Sequence, residues 1–261
     1  MKIPKIVSAA AVFALTLCAL TASLSADGEG HWYCKRNDTH SQPPIPPEYA
    51  YIEKYNGYYL DREHSDDCED KVIYLTFDAG YENGNVEKVL DTLKAHNAEG
   101  CFFILENLIE RNTDLVKRMF DEGHTVGNHT MKHKNMAKYG TRENFETELG
   151  GLEKLCRELT GHEMAKIYRP PEGSFTEDNL KIVSEMGYKT IFWSYAYADW
   201  DNDKQPDPES SLKKLLAHVH NGEILLLHPT SATNAAILDR FLTELEAEGY
   251  RFGSIRELCG L

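Results

Sequence analysis

The sequence predicts an α/β protein built on a parallel sheet that closes, or nearly closes, into a barrel. Three observations carry that reading. From Lys71 onward, short β-branched or aromatic runs alternate with segments of helical spacing. Glycines follow the helical segments. The length of 261 residues suits one domain of barrel size or two small ones. The candidate strands are residues 72–76, 101–105, 125–127, 166–168, 190–193, 224–227 and 250–252. Each is four or five residues of largely buried character, or shorter, and each is bounded by polar residues or glycine. The segments between them, 86–96, 114–122, 141–159, 177–186, 210–219 and 234–248, repeat apolar residues at helical intervals. Gly100, Gly123, Gly161, Gly187, Gly222 and Gly249 stand where helix C-caps belong. About seven strands joined this way require right-handed crossovers.

The residues ahead of this pattern are different. Lys2 and Lys5 precede an apolar run over 6–20, and small residues follow through Ala26. A positive start, an apolar stretch and a small-residue tail form a secretory signal over residues 1–26, cut between Ala22 and Ala26. An uncleaved anchor is the alternative, because the run is near the lower limit for a spanning helix. Either way the protein is exported, and once the signal is removed no membrane span remains. Residues 27–66 hold Pro43, Pro44, Pro46 and Pro47, then Tyr49, Tyr51, Tyr55, Tyr58 and Tyr59. Prolines at that density exclude a continuous helix or a central strand, so the segment reads as an extended N-terminal arm. Its tyrosines pack it onto the domain at 67–261, or else offer platforms for sugars.

Composition narrows the function. Forty-two acidic residues against twenty-eight basic ones leave a net charge of −14. Sequence-independent binding to nucleic acid or anionic membrane relies on basic patches, so both are excluded as partners. The six cysteines, Cys18, Cys34, Cys68, Cys101, Cys156 and Cys259, contain no C-x-x-C pair, which excludes a zinc ribbon and a thioredoxin site. Removing the signal leaves five, an odd number that points to buried free thiols.

Polar residues cluster just after the strands. Asp78 follows the first, His129 and His133 the third, and Arg169 the fourth, ahead of Pro170, Pro171, Glu172 and Gly173. Asp199 and Trp200 follow the fifth, and His228 the sixth. In barrels the active site lies at the carboxyl ends of the strands, so one rim receives them all. His129 and His133 are spaced i, i+4, which on a helical turn would aim both imidazoles one way. They could share a metal or be an exposed pair. Arg169, held in extended backbone before two prolines, either forms a surface salt bridge or keeps a buried carboxylate ionised. His228 ends four aliphatic residues, so its backbone lies in a buried strand, and it is either a hydrogen-bonded core histidine or part of the site at the rim.

These residues come in the order of five motifs. Thr76-Phe77-Asp78-Ala79-Gly80, His129-Thr130-Met131-Lys132-His133, Arg169-Pro170-Pro171-Glu172-Gly173, Asp199-Trp200 and Leu225-Leu226-Leu227-His228 resemble those of the polysaccharide deacetylases, carbohydrate esterases with a distorted (β/α) barrel of about seven strands. Tyr81-Glu82-Asn83-Gly84-Asn85, Phe192-Trp193-Ser194 and the stretch from Pro229 to Asn234 are similar to a narrower group, the delta-lactam-biosynthetic de-N-acetylases of spore cortex peptidoglycan.

The resemblance implies that Asp78 is the general base and His228 the general acid. Arg169 would keep Asp78 charged and Asp199 would orient Arg169. His129 and His133 would bind a divalent metal, zinc or similar. Trp200 and Tyr81 would line the sugar groove, with Glu172 and Gly173 contacting substrate through backbone N–H groups. The family's usual third metal ligand is an aspartate, and here that position is Ala79, so a metal would need water or substrate oxygens, or a substitute such as Glu82. The implied substrate is a peptidoglycan strand deacetylated on muramic acid, in the cell wall or the space around the forespore. Deacetylation of N-acetylglucosamine in peptidoglycan or chitin-like chains is the rival. A non-catalytic glycan-binding barrel is the reading from another class.

Overall fold

A computed structural model describes residues 28–261, so the secretory signal expected over residues 1–26 lies outside the described residues. The chain runs β1 (Gly30–His31), a 3₁₀ helix (Pro47–Tyr55), β2 (Gly57–Tyr58), β3 (Lys71–Ala79), α1 (Val86–Ala95), β4 (Gly100–Ile104), α2 (Glu106–Arg111), α3 (Thr113–Asp121) and β5 (Thr125–Asn128). It continues through α4 (Met136–Tyr139), α5 (Arg142–Phe145), a π-helical turn (Glu146–Gly150), α6 (Gly151–Thr160), β6 (Ile167–Tyr168), β7 (Ser174–Phe175), α7 (Glu177–Glu185) and β8 (Lys189–Ile191). The last elements are β9 (Tyr195–Ala196), α8 (Pro208–His218), β10 (Glu223–Leu227), α9 (Ala232–Ala247), β11 (Tyr250–Phe252) and α10 (Ile255–Leu258).

All seven expected strands are present, and with the short β2 and β9 they form one curled parallel sheet in the order β2-β8-β6-β5-β4-β3-β10-β9, with β11 on β3. β3 is its centre. Leu75–Ala79 of β3 runs alongside Gly100–Ile104 of β4, and Ile73–Phe77 runs alongside β10. Alternation along β3 sorts its side chains into two layers. Ile73, Leu75, Phe77 and Ala79 join the outer helices in one core, with Val89, Leu93, Leu238 and Phe241. Val72 and Tyr74 face inward with Cys101, Phe103, Ile167, Ile191 and Ile224, over a plug made by Ile255 and Cys259. Phe77 and Phe102, fully buried and stacked at 4.9 Å, anchor the outer layer. Truncating either to alanine costs about 3–5 kcal/mol.

The arm departs from the extended reading. Pro47 opens a 3₁₀ helix, because a proline at the first helical position lacks only an N–H that would be unpaired anyway. Beyond it, β2 pairs with β8, and Leu60 bridges to Glu223 at the start of β10. The arm therefore spans the opening between β8 and β10. Its aromatics pack: Tyr59 is buried, and Tyr49, Tyr51 and Tyr55 lean on the cluster of Trp32, Ile52, Phe175 and Phe192.

Two local expectations are corrected. Gly100 is not a cap: Asn97 takes the left-handed position after α1 (φ 49°), and Gly100 begins β4, where a Cβ would meet Leu93, Phe77 and Phe102. Nor is Gly222, because α8 ends into extended backbone at Val219 and Gly222 stands in the turn before β10. The helix expected over 141–159 is present as continuous helical backbone from Arg142 to Thr160, with the π turn widening it in the middle. Among the described residues the five cysteines are free, with Cys101, Cys156 and Cys259 buried. No helix among them is long and apolar enough to cross a membrane.

Candidate active site

The inward face of β3 reads Val72, Tyr74, Thr76, Asp78 from the bottom of the barrel to its rim. At the rim opens a cavity of 740 Å³ lined by Asp78, Tyr81, His129, His133, Glu172, Gly173, Trp200 and His228, with apolar walls from Leu105, Trp193, Tyr197 and Leu226. Every residue given a catalytic, histidine-pair or sugar-binding role in the sequence is therefore at this cavity or directly beneath it. Arg169 and Asp199 are the two beneath, fully buried.

Arg169 follows β6 and is held at every nitrogen. Its Nε donates to the Ile191 carbonyl (3.1 Å), one Nη to Thr76 Oγ1 (2.8 Å) and the Phe192 carbonyl (3.2 Å), and the other to Asp78 Oδ1 (2.9 Å). The guanidinium stacks 4.2 Å above the Phe103 ring. Burial penalises the ionised form of Asp78, but the nearby His129, Arg169 and His228 outweigh it, so the carboxyl titrates below its usual range. Of those three only Arg169 is charged at every pH.

The turn after β5 places the histidines without a helix. Thr130 (φ 70°) and His133 (φ 54°) are left-handed, which a helical turn forbids, yet the two rings still meet with centroids 5.0 Å apart. Asn128 builds the turn by accepting from the Thr130 amide (2.9 Å). Glu148, buried in the π turn, accepts from the Lys132 amide (3.1 Å) and pairs with Lys134 (2.7 Å). The π turn thus delivers a carboxylate under the histidine loop, consistent with the tendency of π turns to sit at functional sites. His129 Nδ1 donates to the Arg169 carbonyl (2.9 Å), which turns a bare Nε2 toward Asp78 Oδ2, 3.5 Å away. Burial holds this imidazole neutral, its pKa pushed down to about 4.

On the opposite flank, Asp199 departs from its expected role: it makes no hydrogen bond to Arg169. Arg169 already has its acceptors in the barrel carbonyls and Thr76. Asp199 instead accepts from the His228 amide and from its Nδ1, both at 2.8 Å, and from Asn234 Nδ2 at 2.6 Å. Asn234 also donates to the His228 carbonyl (3.0 Å) and accepts from Tyr197 Oη. Burial lowers the pKa of His228, but the Asp199 hydrogen bond and charge, then the Asp78 charge, outweigh it, and the imidazole is raised above its usual value. The supporting residues Thr76, Asn234 and Glu148 carry a sequence signal only in retrospect: each is a polar residue at a position whose neighbours are buried.

Trp200, exposed, stands with its ring 6.3 Å from His228, and Tyr81 Oη accepts from Asn202, tying two rim loops together. Glu172 (φ 60°) and Gly173 (φ 64°) form a tight left-handed turn at the rim. The Gly173 amide is engaged by the Pro170 carbonyl at 3.0 Å, so it is not free for substrate.

The comparisons with known proteins fall on this geometry. The polysaccharide deacetylase model matches residues 65–191. The peptidoglycan-N-acetylmuramic acid deacetylase PdaA of Bacillus subtilis is 38% identical over 229 residues, covering 87% of this chain and 85% of that one. The chain belongs to the polysaccharide deacetylase family. The solved structure of Bacillus subtilis PdaA, a family 4 carbohydrate esterase, superposes with a TM-score of 0.83 at 36% identity, over 90% of this chain and 98% of that one. The peptidoglycan-N-acetylglucosamine deacetylase PgdA of Listeria monocytogenes is 38% identical over 190 residues, 73% of this chain and 39% of its own length.

Polysaccharide deacetylases of this kind are generally metal-dependent. Here His129 and His133 offer two imidazoles, but Ala79 is buried in the outer core and carries no donor. Glu82 is turned away, accepting from the Gly84 and Glu87 amides. Among the described residues no group of three His, Cys, Asp or Glu side chains is placed to hold a metal. Among the described residues, the side chains present do not complete a metal site.

Proposed function

We propose that the protein hydrolyses the N-acetyl group of muramic acid residues in peptidoglycan, the first step toward a muramic delta-lactam. The observation that carries this reading is the pairing at the cavity of a carboxylate held charged by Arg169 with an imidazole whose pKa is raised by Asp199. An amide needs both ends of that pair. Asp78 takes a proton from a water as its oxygen attacks the acetyl carbonyl carbon. His228, whose Nδ1 is committed to Asp199, presents Nε2 and gives its proton to the leaving amine as the C–N bond breaks. Acetate and the free amine depart, Asp78 returns its proton to water, and His228 is reprotonated. A glycan-binding module has no use for a base and an acid poised at one cavity. Trp200 and Tyr81 supply apolar faces for a sugar ring, as the net negative charge of the chain requires of a protein that meets an anionic wall polymer through local contacts.

Muramic acid is favoured over glucosamine because the likeness to PdaA runs through the N-terminal arm and nearly the whole of that protein, whereas the likeness to PgdA covers less than half of its length. The signal at the N-terminus supports export to the wall or the forespore-surrounding space. The test is mass spectrometry of muropeptides after treatment with purified protein, with chelator and with added divalent metals in parallel. Loss of one acetyl from muramic acid is expected. Loss from glucosamine replaces the reading with its rival, and no loss on either sugar under any condition rejects it.

A further inference from the structure

Residues 29–36 lie outside the span of the family match, yet they touch three of the loops that build the cavity. Glu29 accepts from Asn135 Nδ2 (3.0 Å), just past His133. Gly30 and His31 pair as an antiparallel strand with Phe175 and Ser174, and His31 Nδ1 meets Ser174 Oγ at 2.9 Å. The Trp32 amide donates to the Gly173 carbonyl (2.8 Å). Trp32 Nε1 and Cys34 Sγ both donate to the Trp193 carbonyl, at 2.8 and 2.9 Å. Arg36 donates to the Ala196 carbonyl (2.7 Å) and covers the Tyr195 ring.

The residues these contacts hold are cavity walls: Gly173, Trp193 and Ala196. Gly173 is pinched so closely that a Cβ there would lie 2.8 Å from the Trp193 ring and 3.3 Å from Trp32 Cβ. Beside it Glu172 occupies a left-handed backbone that costs a non-glycine residue roughly 1–2 kcal/mol and persists only where neighbours over-determine it. Trp32, 5% exposed and stacked 4.6 Å from Phe192, gives the segment a fixed anchor.

We propose that residues 29–36 are a positioning strap that sets the turn at Glu172 and Gly173 and the wall at 193–196. Without its hydrogen bonds both walls loosen, although the barrel stays folded around its own core. The effect on turnover rests on the deacetylase reading; the effect on wall order does not.

The experiment compares the full chain with Trp32→Phe/Arg36→Ala, Arg36→Ala alone, Arg36→Lys, and Tyr55→Phe, which removes an arm hydrogen bond to Glu177 far from the cavity. Amide hydrogen exchange and acetate release are read together. In the double variant, exchange across 172–175 and 193–197 is expected to rise by about 5-fold or more, with helices α8 and α9 unchanged. Its kcat/KM for acetate release is expected to fall about 10-fold, as small misplacements of reacting groups do. Arg36→Ala shows a weaker form of both effects, while Arg36→Lys, which keeps a donor, and Tyr55→Phe stay within about 2-fold of the parent. Unchanged exchange at the two walls, a uniform rise everywhere, or a local rise with unaltered turnover overturns the strap. A parent chain that releases no acetate from muramic- or glucosamine-containing glycans rejects the deacetylase reading instead, and the exchange pattern by itself then decides the strap.

Discussion

The two flanks of the cavity solve opposite electrostatic problems with the same residue types. On one side Asp78 meets Arg169, a cation that cannot lose its proton, and the neighbouring imidazole of His129 is driven neutral by burial. On the other side Asp199 meets His228, and the imidazole is driven toward its charged form. A carboxylate beside a permanent cation becomes a lasting base; a carboxylate beside a titratable ring makes that ring a lasting acid. Which role a histidine takes here is decided by its partner and by what its Nδ1 donates to: a neutral carbonyl for His129, an anion for His228.

The comparison is broken most severely at Asp78. Asp78→Asn keeps the shape and the Arg169 contact but removes the proton acceptor, and acetate release from glycan strands is expected to fall about 10³-fold. Arg169→Met tests the same flank through stability. It strands a buried carboxylate and two carbonyls, and the urea midpoint is expected to report a loss of roughly 3–5 kcal/mol; a loss under about 1 kcal/mol would show that Asp78 finds water instead. On the other flank His228→Gln is expected to cost about 10²-fold in kcat with the fold unchanged by circular dichroism.

Asn234→Ala is the finer probe. It removes one donor from Asp199 without touching the ring, so kcat is expected to drop only about 10-fold. The pH profile sharpens the same contrast. Turnover needs Asp78 ionised and His228 protonated, so it is lost as pH falls below the ordinary carboxylate range and as pH rises through the raised pKa of His228. Asp199→Asn removes what raises that pKa, and the alkaline limb is expected to move to lower pH; a limb that stays in place means that another group is the acid. Stability follows with opposite signs. The His228 contribution is complete below about pH 6.5 and lost as pH rises through the raised folded value, whereas that of Asp78 is present above about pH 4 and lost as pH falls.

Much of this was legible in the residue pattern. The strand runs at 72–76 and 224–227 lie within β3 and β10, because alternating apolar runs between helical segments have few other ways to bury themselves. Asp78, His129, Arg169 and His228 come together because strands that run parallel deliver their ends to one rim. The two-residue strands β2 and β9 were not legible, since they are held by their neighbours and not by any propensity of their own. The π turn was hidden by an unbroken helical spacing, and the strap by a stretch that looked like linker.

The sequence by itself determined the alternation of elements, the order of the motifs and the chemical types at the rim, because these depend on local spacing. Only the tertiary structure decided that Asp199 serves His228 and not Arg169, that Ala79 faces the outer helices, and that residues 29–36 brace the cavity. The reason is physical: hydrogen-bond partners are chosen by distance and competing acceptors, and those exist only after residues far apart in the chain have packed together.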